Sequence, residues 1–256
     1  MRRSPFHLAL AYLKYLLRSK SIYSIHSPFL YSLIAQIKKD RKSNLFPEIE
    51  KERLRLKKDK TLLQGHDFGA GTDAELTVSR IARNSLKRPN EARILYSIAQ
   101  HLKSERILEL GTSLGITTSY LAKAGTEVLS LEGNSAVLDQ AKSVFENLGI
   151  GNIRTKEGNI DQTLYEALNS MAKPDFVFID ANHKKEATID YFFRLLPICM
   201  NNTVLIFDDI HWSEEMNEAW NYIKSNEKVI VSIDLFHFGL VFFRKELSKQ
   251  DFTIRI

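Results

Sequence analysis

Glu105-Arg-Ile-Leu-Glu-Leu-Gly-Thr-Ser-Leu-Gly-Ile116 is the stretch that decides the fold. Ile107-Leu108-Glu109-Leu110 reads as an apolar strand with an acid near its end. Gly111-Thr112-Ser113-Leu114-Gly115 is a turn of mostly small residues, and a helical pattern runs from Ile116 to Lys123. Glycines let a backbone approach a ligand closely, and the N–H groups at a helix start point outward at it. Strand, glycine turn and helix start together describe a nucleotide-type site in an α/β protein. Three residues separate the two glycines, so this is not the dinucleotide pattern G-x-G-x-x-G, and an NAD-dependent oxidoreductase is disfavoured. An ordinary strand-to-helix turn is the competing reading.

Outward from this stretch the chain alternates. Strands are predicted at 105–110, 126–131, 152–156, 175–180 and 202–208, and helices at 115–123, 134–147, 160–171, 185–196 and 213–225. Phe176-Val177-Phe178-Ile179 and Val204-Leu205-Ile206-Phe207 are apolar throughout, as in parallel strands covered on both faces. Val229–Ile233 and Leu240–Phe243 are joined by a short link with no helix, so they read as an antiparallel pair at the sheet edge. Tyr191, Phe192, Trp220 and Tyr222 fall at helical spacings and are read as core. Ahead of the alternation, residues 5–60 read as helices with breaks near 24–28 and 43–47. Ser27-Pro28 starts one helix. Another runs from Glu75 to Asn84, and a third opens at Pro89.

The chain has 256 residues, 44% hydrophobic and 26% charged, enough for one α/β domain with an extension. The lone Cys199 rules out an internal disulfide framework and fits a reducing, cytoplasmic setting. No apolar run approaches the roughly 18 residues needed to span a bilayer. Arg2 and Arg3 precede an apolar stretch, but His7 and Lys14 interrupt it and no small-residue cleavage site follows. An amphipathic helix, with Ala9, Tyr12, Leu13, Leu16 and Leu17 on one face, is the better reading than a targeting peptide. Residues 1–60 hold 15 Lys+Arg and 5 Asp+Glu, a net +10; the remainder is net −5. Such asymmetry can serve an anionic partner, but basic and acidic residues mix through Glu48–Asp59 and no recognition module is present. Helices packed on the core or on a second copy, as in a homodimer, are therefore expected, and nucleic acid is disfavoured as a partner.

Acids gather where this topology puts ligands, at the carboxyl ends of the strands. Glu132 ends the second strand, 21 residues beyond Gly111, where an acid can accept hydrogen bonds from ribose hydroxyls. Gly158-Asn159 follows the third strand, as a ligand contact or a helix cap. Asp180 ends the fourth and Asp208-Asp209 end the fifth. Such an oxygen cluster suits Mg²⁺ or another divalent cation; one acid facing a ligand while the others cap helices is the alternative. Trp212 and His211 follow the Asp pair. His66 and Phe68 lie in a glycine-rich stretch, 64–74, that could act as a lid or as a surface linker.

These motifs resemble the class I S-adenosylmethionine (SAM) methyltransferases, over residues 90–245. The series of strand ends is similar to the catechol-type and caffeoyl-CoA-type O-methyltransferases. The segments Ile25-His-Ser-Pro-Phe-Leu30, Asp67-Phe-Gly-Ala-Gly-Thr72 and Asp180–Phe192 resemble a poorly characterised bacterial subgroup. The resemblance implies a doubly wound, mostly parallel seven-stranded sheet of order 3-2-1-4-5-7-6 with the last strand antiparallel. It implies an N-terminal helical extension and lid over 1–88 and a SAM-binding domain over 89–256. It implies SAM contacts from Glu109, Gly111, Thr112, Ser113, Gly115, Glu132, Gly158, Asn159 and Asp180. Asp180, Asp208 and Asp209 would hold a divalent metal, with Asp209 standing where the family has Asn. The family's catalytic lysine falls three residues after the first aspartate; here that place is His183, with Lys184 next, so either could be the base and Asp180, His183 and Lys184 form the catalytic set. Asp180-Ala-Asn-His replaces the Asn-Pro-Pro-Tyr type of motif found in enzymes that methylate base nitrogens. The expected activity is O-methylation of a small hydroxylated molecule. The rivals are an RNA or protein methyltransferase docking through the basic N-terminal segment, and a SAM-fold binding module without turnover.

Overall fold

A computed structural model describes residues 5–63 and 76–256. Helices α1 (Pro5–Arg18), α2 (Pro28–Asp40), α3 (Pro47–Leu56), α4 (Val78–Asn84) and α5 (Pro89–Leu102) precede the first strand. Strand and helix then alternate: β1 (Arg106–Leu110), α6 (Ile116–Ala122), β2 (Glu127–Glu132), α7 (Ser135–Asn147), β3 (Ile153–Glu157), α8 (Ile160–Ser170), β4 (Phe176–Ile179), α9 (Lys185–Leu195), β5 (Val204–Asp208) and α10 (Glu214–Ser225). Strands β6 (Val231–Asp234), β7 (Phe238–Phe242) and β8 (Gln250–Thr253) complete the described chain. α1, α2, α3 and α5 each open on a proline, whose missing N–H costs nothing in the first helical turn.

The chain falls into two compact units, one of Gln36–Ala172 and one of Met1–Ala35 with Lys173–Ile256. In the first, β3-β2-β1 lie side by side and parallel, with Leu108 opposite Leu129 and Val128 opposite Ile153. The N-terminal helices of this unit share one core with α6 and α7: Ile49, Leu56, Val78, Ala92, Leu114, Tyr120 and Val144 cluster there, nearly all fully buried. A polar network runs through it. The Tyr120 hydroxyl donates to Glu50 Oε1 (2.8 Å). Arg53, only 2% exposed, donates through Nε to Glu50 Oε2 (2.9 Å) and through a second nitrogen to the Lys87 carbonyl. α4 begins at Val78 because the Thr77 hydroxyl accepts from the Arg80 N–H (3.3 Å); the start expected at Glu75 lies outside the described residues.

In the second unit the order is β4-β5-β7-β6-β8. β4 and β5 are parallel, β7 runs antiparallel to both β5 and β6, and β8 lies parallel to β6. Read in succession, the two runs reproduce the order 3-2-1-4-5-7-6, with the expected antiparallel strand, and add an eighth strand where seven were expected. Gln250-Asp-Phe-Thr253 escapes the sequence reading because it is short, half polar and on an edge, where one-sided cover leaves no apolar run. The end of α1 holds it: the Tyr15 hydroxyl donates to the Ile254 carbonyl (2.6 Å) and the Lys20 N–H to the Thr253 carbonyl (2.8 Å). Tyr191, Phe192 and Trp220 are core as expected, whereas Tyr222 is 52% exposed.

Candidate active site

The turn after β1 is fixed by the strand beside it. The Gly111 and Thr112 N–H groups both donate to the Leu131 carbonyl (2.9 and 3.1 Å), and the Gly115 N–H donates to the Thr112 carbonyl (3.0 Å). These amides hold the turn itself. Gly111 sits at φ 105° and Gly115 at φ 77°, where L side chains are strained. Gly115 has a second constraint: a Cβ there would lie 2.6 Å from the Phe145 ring and 3.0 Å from the Ala141 methyl. Its bare backbone is what lets the turn press against α7.

Glu109 lies beneath the turn and has no exposed surface. Its Oε2 accepts from the Thr118 hydroxyl (2.5 Å) and the Ser130 hydroxyl (2.6 Å). Ser130 has spent its proton on Glu109, so the Thr112 hydroxyl, 2.6 Å away, donates to Ser130. One buried acid thus holds Thr118 of α6 and Ser130 in the middle of β2 directly, and Thr112 of the turn through Ser130. The partners Thr118 and Ser130 were not singled out from the sequence.

Glu132, half-buried at the end of β2, reaches the same turn. Its Oε2 accepts from the Ser113 N–H (2.8 Å) and its Oε1 from the Asn134 N–H (3.0 Å). The carboxylate thereby ties the end of β2 to the turn after β1. Ser113 is at φ 49°, and its buried hydroxyl oxygen has no hydrogen-bond partner among the described residues. The Gly158 N–H donates to the Glu132 carbonyl (2.9 Å). Asn159 caps α8, its Oδ1 accepting from the Asp161 N–H (2.9 Å), which is the capping reading of that position. A half-buried carboxylate at the strand end, a buried Ser113 hydroxyl with no hydrogen-bond partner among the described residues and a turn whose glycines let a ligand come close to the backbone fit the sugar and amino-acid portions of an adenosyl cofactor.

In the other unit Asp180 follows β4 and begins a turn in which Asn182 (φ 67°) and His183 (φ 36°) are both left-handed. The Asn182 amide donates to the Tyr191 hydroxyl (3.2 Å). This turn brings His183 Nε2 to 3.4 Å from Asp180 Oδ1 and stacks the imidazole on Trp212, centroids 6.0 Å apart at 24°. Lys184 is exposed at the start of α9. Of the two base candidates, the fold brings His183 to the acids.

Asp208, the last residue of β5, is 2% exposed. Among the described residues, one set of three acidic or imidazole side chains could share a cation: Asp180, His183 and Asp208, with one donor atom from each within 4.8 Å of the others. The expected third member, Asp209, is not in that set. It takes a left-handed φ of 49° and faces His237, with Oδ1 4.0 Å from Nδ1. Consecutive residues at a strand end diverge, so the two acids serve different neighbours. His237 was missed in the sequence, although the predicted hairpin could have revealed it: Asp208 pairs with Phe238, which puts the β6–β7 turn beside the end of β5. Beside it, His211 bridges Asp234 Oδ2 (2.9 Å) and Asn217 Oδ1 (2.6 Å). The lid residues His66 and Phe68 lie outside the described residues.

A family described as a methyltransferase domain matches residues 108–210. The solved structure of an O-methyltransferase from Bacillus cereus, in complex with S-adenosylhomocysteine (SAH), superposes with a TM-score of 0.59 at 20% identity, covering 82% of this chain and 99% of that one. An SAH-bound methyltransferase from Podospora anserina gives 0.61 at 14% identity, over 88% and 99% of the two chains. The chain has the class I methyltransferase fold. A catechol O-methyltransferase from Niastella koreensis is 27% identical over 127 residues, 48% of this chain and 57% of that protein. The chain thus spans little more than half the length of this methyltransferase relative. A solved structure described as a caffeoyl-CoA O-methyltransferase from Staphylococcus aureus superposes with a TM-score of 0.58 at 14% identity, over 82% of this chain and 97% of that one, so both kinds of enzyme named in the resemblance are among the matches. Among the described residues no helix is long and apolar enough to cross a membrane.

Proposed function

We propose that this chain is a SAM-dependent methyltransferase acting on a hydroxyl oxygen of a small molecule in the cytoplasm. The observation that carries the reading is His183 drawn up to Asp180 and Asp208 at the strand ends of a methyltransferase fold. An oxygen acceptor must lose its proton as it attacks, and these residues supply a proton acceptor with a charge partner. SAM, when bound, supplies a methyl group already made electrophilic by its sulfonium.

The residues divide the work. Glu132 would accept the ribose hydroxyls, the turn Gly111–Gly115 would receive the cofactor with the Ser113 hydroxyl as an added contact, and Gly158 and Asn159 would lie on the adenine side. Glu109 supports the turn from below through Ser130 and Thr112. Asp180 holds His183 at Nε2, leaving Nδ1 to take the acceptor's proton, and its carboxylate offsets the imidazolium charge that results. Trp212 braces the imidazole and walls the acceptor. Functionally, residues 89–256 form the catalytic domain and 1–88 its accessory extension.

A second reading is favoured by the spacing of the same donors. Asp180, His183 and Asp208 would hold a divalent cation, whose contribution is to acidify a bound hydroxyl; the two carboxylates suit Mg²⁺ or Mn²⁺, and the imidazole extends the range to Zn²⁺. Asp209, turned to His237, would stay outside that set.

The test has two arms. Calorimetric titration with SAM, SAH and NAD asks which cofactor binds, and methyl-labelled SAM offered with a panel of catechols, other phenols and RNA asks where the label goes. Binding of SAH with label in a phenolic oxygen is the expected result. Binding of NAD alone, or label confined to RNA, would overturn the proposal.

A further inference from the structure

Helix α1 carries two opposed faces. One packs inward: Ala11 and Tyr15 are 7% and 6% exposed and cluster with Phe236. The other holds Leu10, Leu13 and Leu17, spaced i, i+3 and i+7 and therefore on a single stripe. These leucines are 43%, 54% and 80% exposed. Lys14 and Arg18, each one position after a stripe leucine, border it and are exposed, as is Lys20 beyond the helix end. Residues 1–39 contain seven Lys or Arg and no Asp or Glu. Three leucines side by side in water, at the rim of so basic a segment, make a contiguous apolar patch of the kind that marks an interaction surface.

We infer that α1 is an in-plane membrane anchor, which seats Leu10, Leu13 and Leu17 among the acyl chains of an anionic lipid surface while Lys14 and Arg18 meet the headgroups. Apolar stripe and basic flank are the two signals that reversible interfacial binding requires together. The charge pattern selects this occupant over a second copy of the chain. A two-fold interface on this face would gather the basic borders of both helices at one seam, and α1 itself carries no acid to offset them. It also selects lipid over RNA, because exposed leucines at the centre of the patch give a phosphate backbone nothing to hold.

The full-length chain should be sedimented with vesicles of phosphatidylcholine alone and of phosphatidylcholine with phosphatidylglycerol, at low and high salt. It is expected to pellet with the anionic vesicles and to be released by salt. Leu17→Asp combined with Leu13→Asp should weaken binding at least tenfold. Lys14→Gln and Arg18→Gln should each weaken it about fivefold. Melting temperature and SAH affinity should be unchanged in all of them, and if the aspartate variant misfolds, the two glutamine variants and the salt series carry the test. Failure of the wild-type chain to bind anionic vesicles overturns the inference. So does full binding by a folded leucine variant, or by both glutamine variants. A dimer in sedimentation velocity that the leucine variant dissociates, with no vesicle binding, would assign the face to a second copy. RNA binding lost with Lys14→Gln but not with the leucine changes would assign it to nucleic acid.

Discussion

Glu132→Ala isolates the proposed cofactor contact from the rest of the fold. Glu132 accepts from two backbone N–H groups, Ser113 at 2.8 Å and Asn134 at 3.0 Å. In the proposed complex it also accepts two ribose hydroxyls. Hydrogen bonds to a charged group are worth about 1.5–3 kcal/mol each; taking the low value for both ribose bonds gives about 3 kcal/mol, or roughly 10²-fold in affinity. The two backbone bonds face partial solvent, so water can replace the carboxylate there, and unfolding free energy should fall by about 1–2 kcal/mol at most. Calorimetric titration with SAH, paired with a urea melt, separates the two effects. A loss of affinity far larger than the loss of stability is expected. Glu132→Gln, which keeps one acceptor oxygen, should fall between the parent and Glu132→Ala. Unchanged SAH affinity in a folded Glu132→Ala variant would refute the ribose assignment and with it the functional reading of the β2 end.

His183→Ala should reduce the methylation rate by about 10²–10⁴-fold with SAH binding intact, while Lys184→Ala changes it little; the reverse ranking in labelled-methyl assays would transfer the base role to Lys184. If the metal reading holds, EDTA should abolish turnover and Mn²⁺ or Mg²⁺ restore it, and Asp208→Asn should mimic EDTA whereas Asp209→Asn should not; EDTA-resistant turnover removes the cation. Arg53→Ala removes the cationic partner of the half-buried Glu50 and the donor to the Lys87 carbonyl and should cost about 1–3 kcal/mol in a urea melt, against less for Arg53→Met combined with Glu50→Gln. Burial pushes the Cys199 thiol up to about 12. The unfolded chain therefore releases this proton near the ordinary thiol value of about 8.5 while the folded chain retains it. Stability should be level below that pH and fall as the pH climbs from there toward the folded value. Cys199→Ala should flatten that alkaline slope in melts run at successive pH values.

How far the sequence could be read follows from how local each signal is. The alternation of β1 through α10 was legible because buried parallel strands are apolar runs and the helices between them carry their own caps, such as Asn134 for α7 and Ser213 for α10. β8 was not legible, because it is a four-residue edge strand, half polar, with no apolar pattern of its own to announce its pairing with β6. At the site, a pair of adjacent acids was visible but not its division of labour. The left-handed residues Asn182, His183 and Asp209 redirect the chain at the strand ends, and none of them is a glycine that would advertise the turn.

Glu109 shows where motif reading stops and burial takes over. An acid near the end of an alternating strand could be assigned to solvent or core by parity, since neighbours point to opposite faces. In β1 parity carries nothing: Ile107, Leu108, Glu109 and Leu110 are all fully buried, because both faces of the strand are covered. The only evidence for which way Glu109 works is the company it keeps, hydroxyls on α6 and β2 that are 9 and 21 residues away in the chain. A buried carboxylate must be satisfied from within, and the residues that satisfy it here also carry the turn on which the cofactor would rest. Replacing Glu109 should therefore disturb SAH binding through the position of Thr112 and Ser113, without the acid itself meeting the ligand.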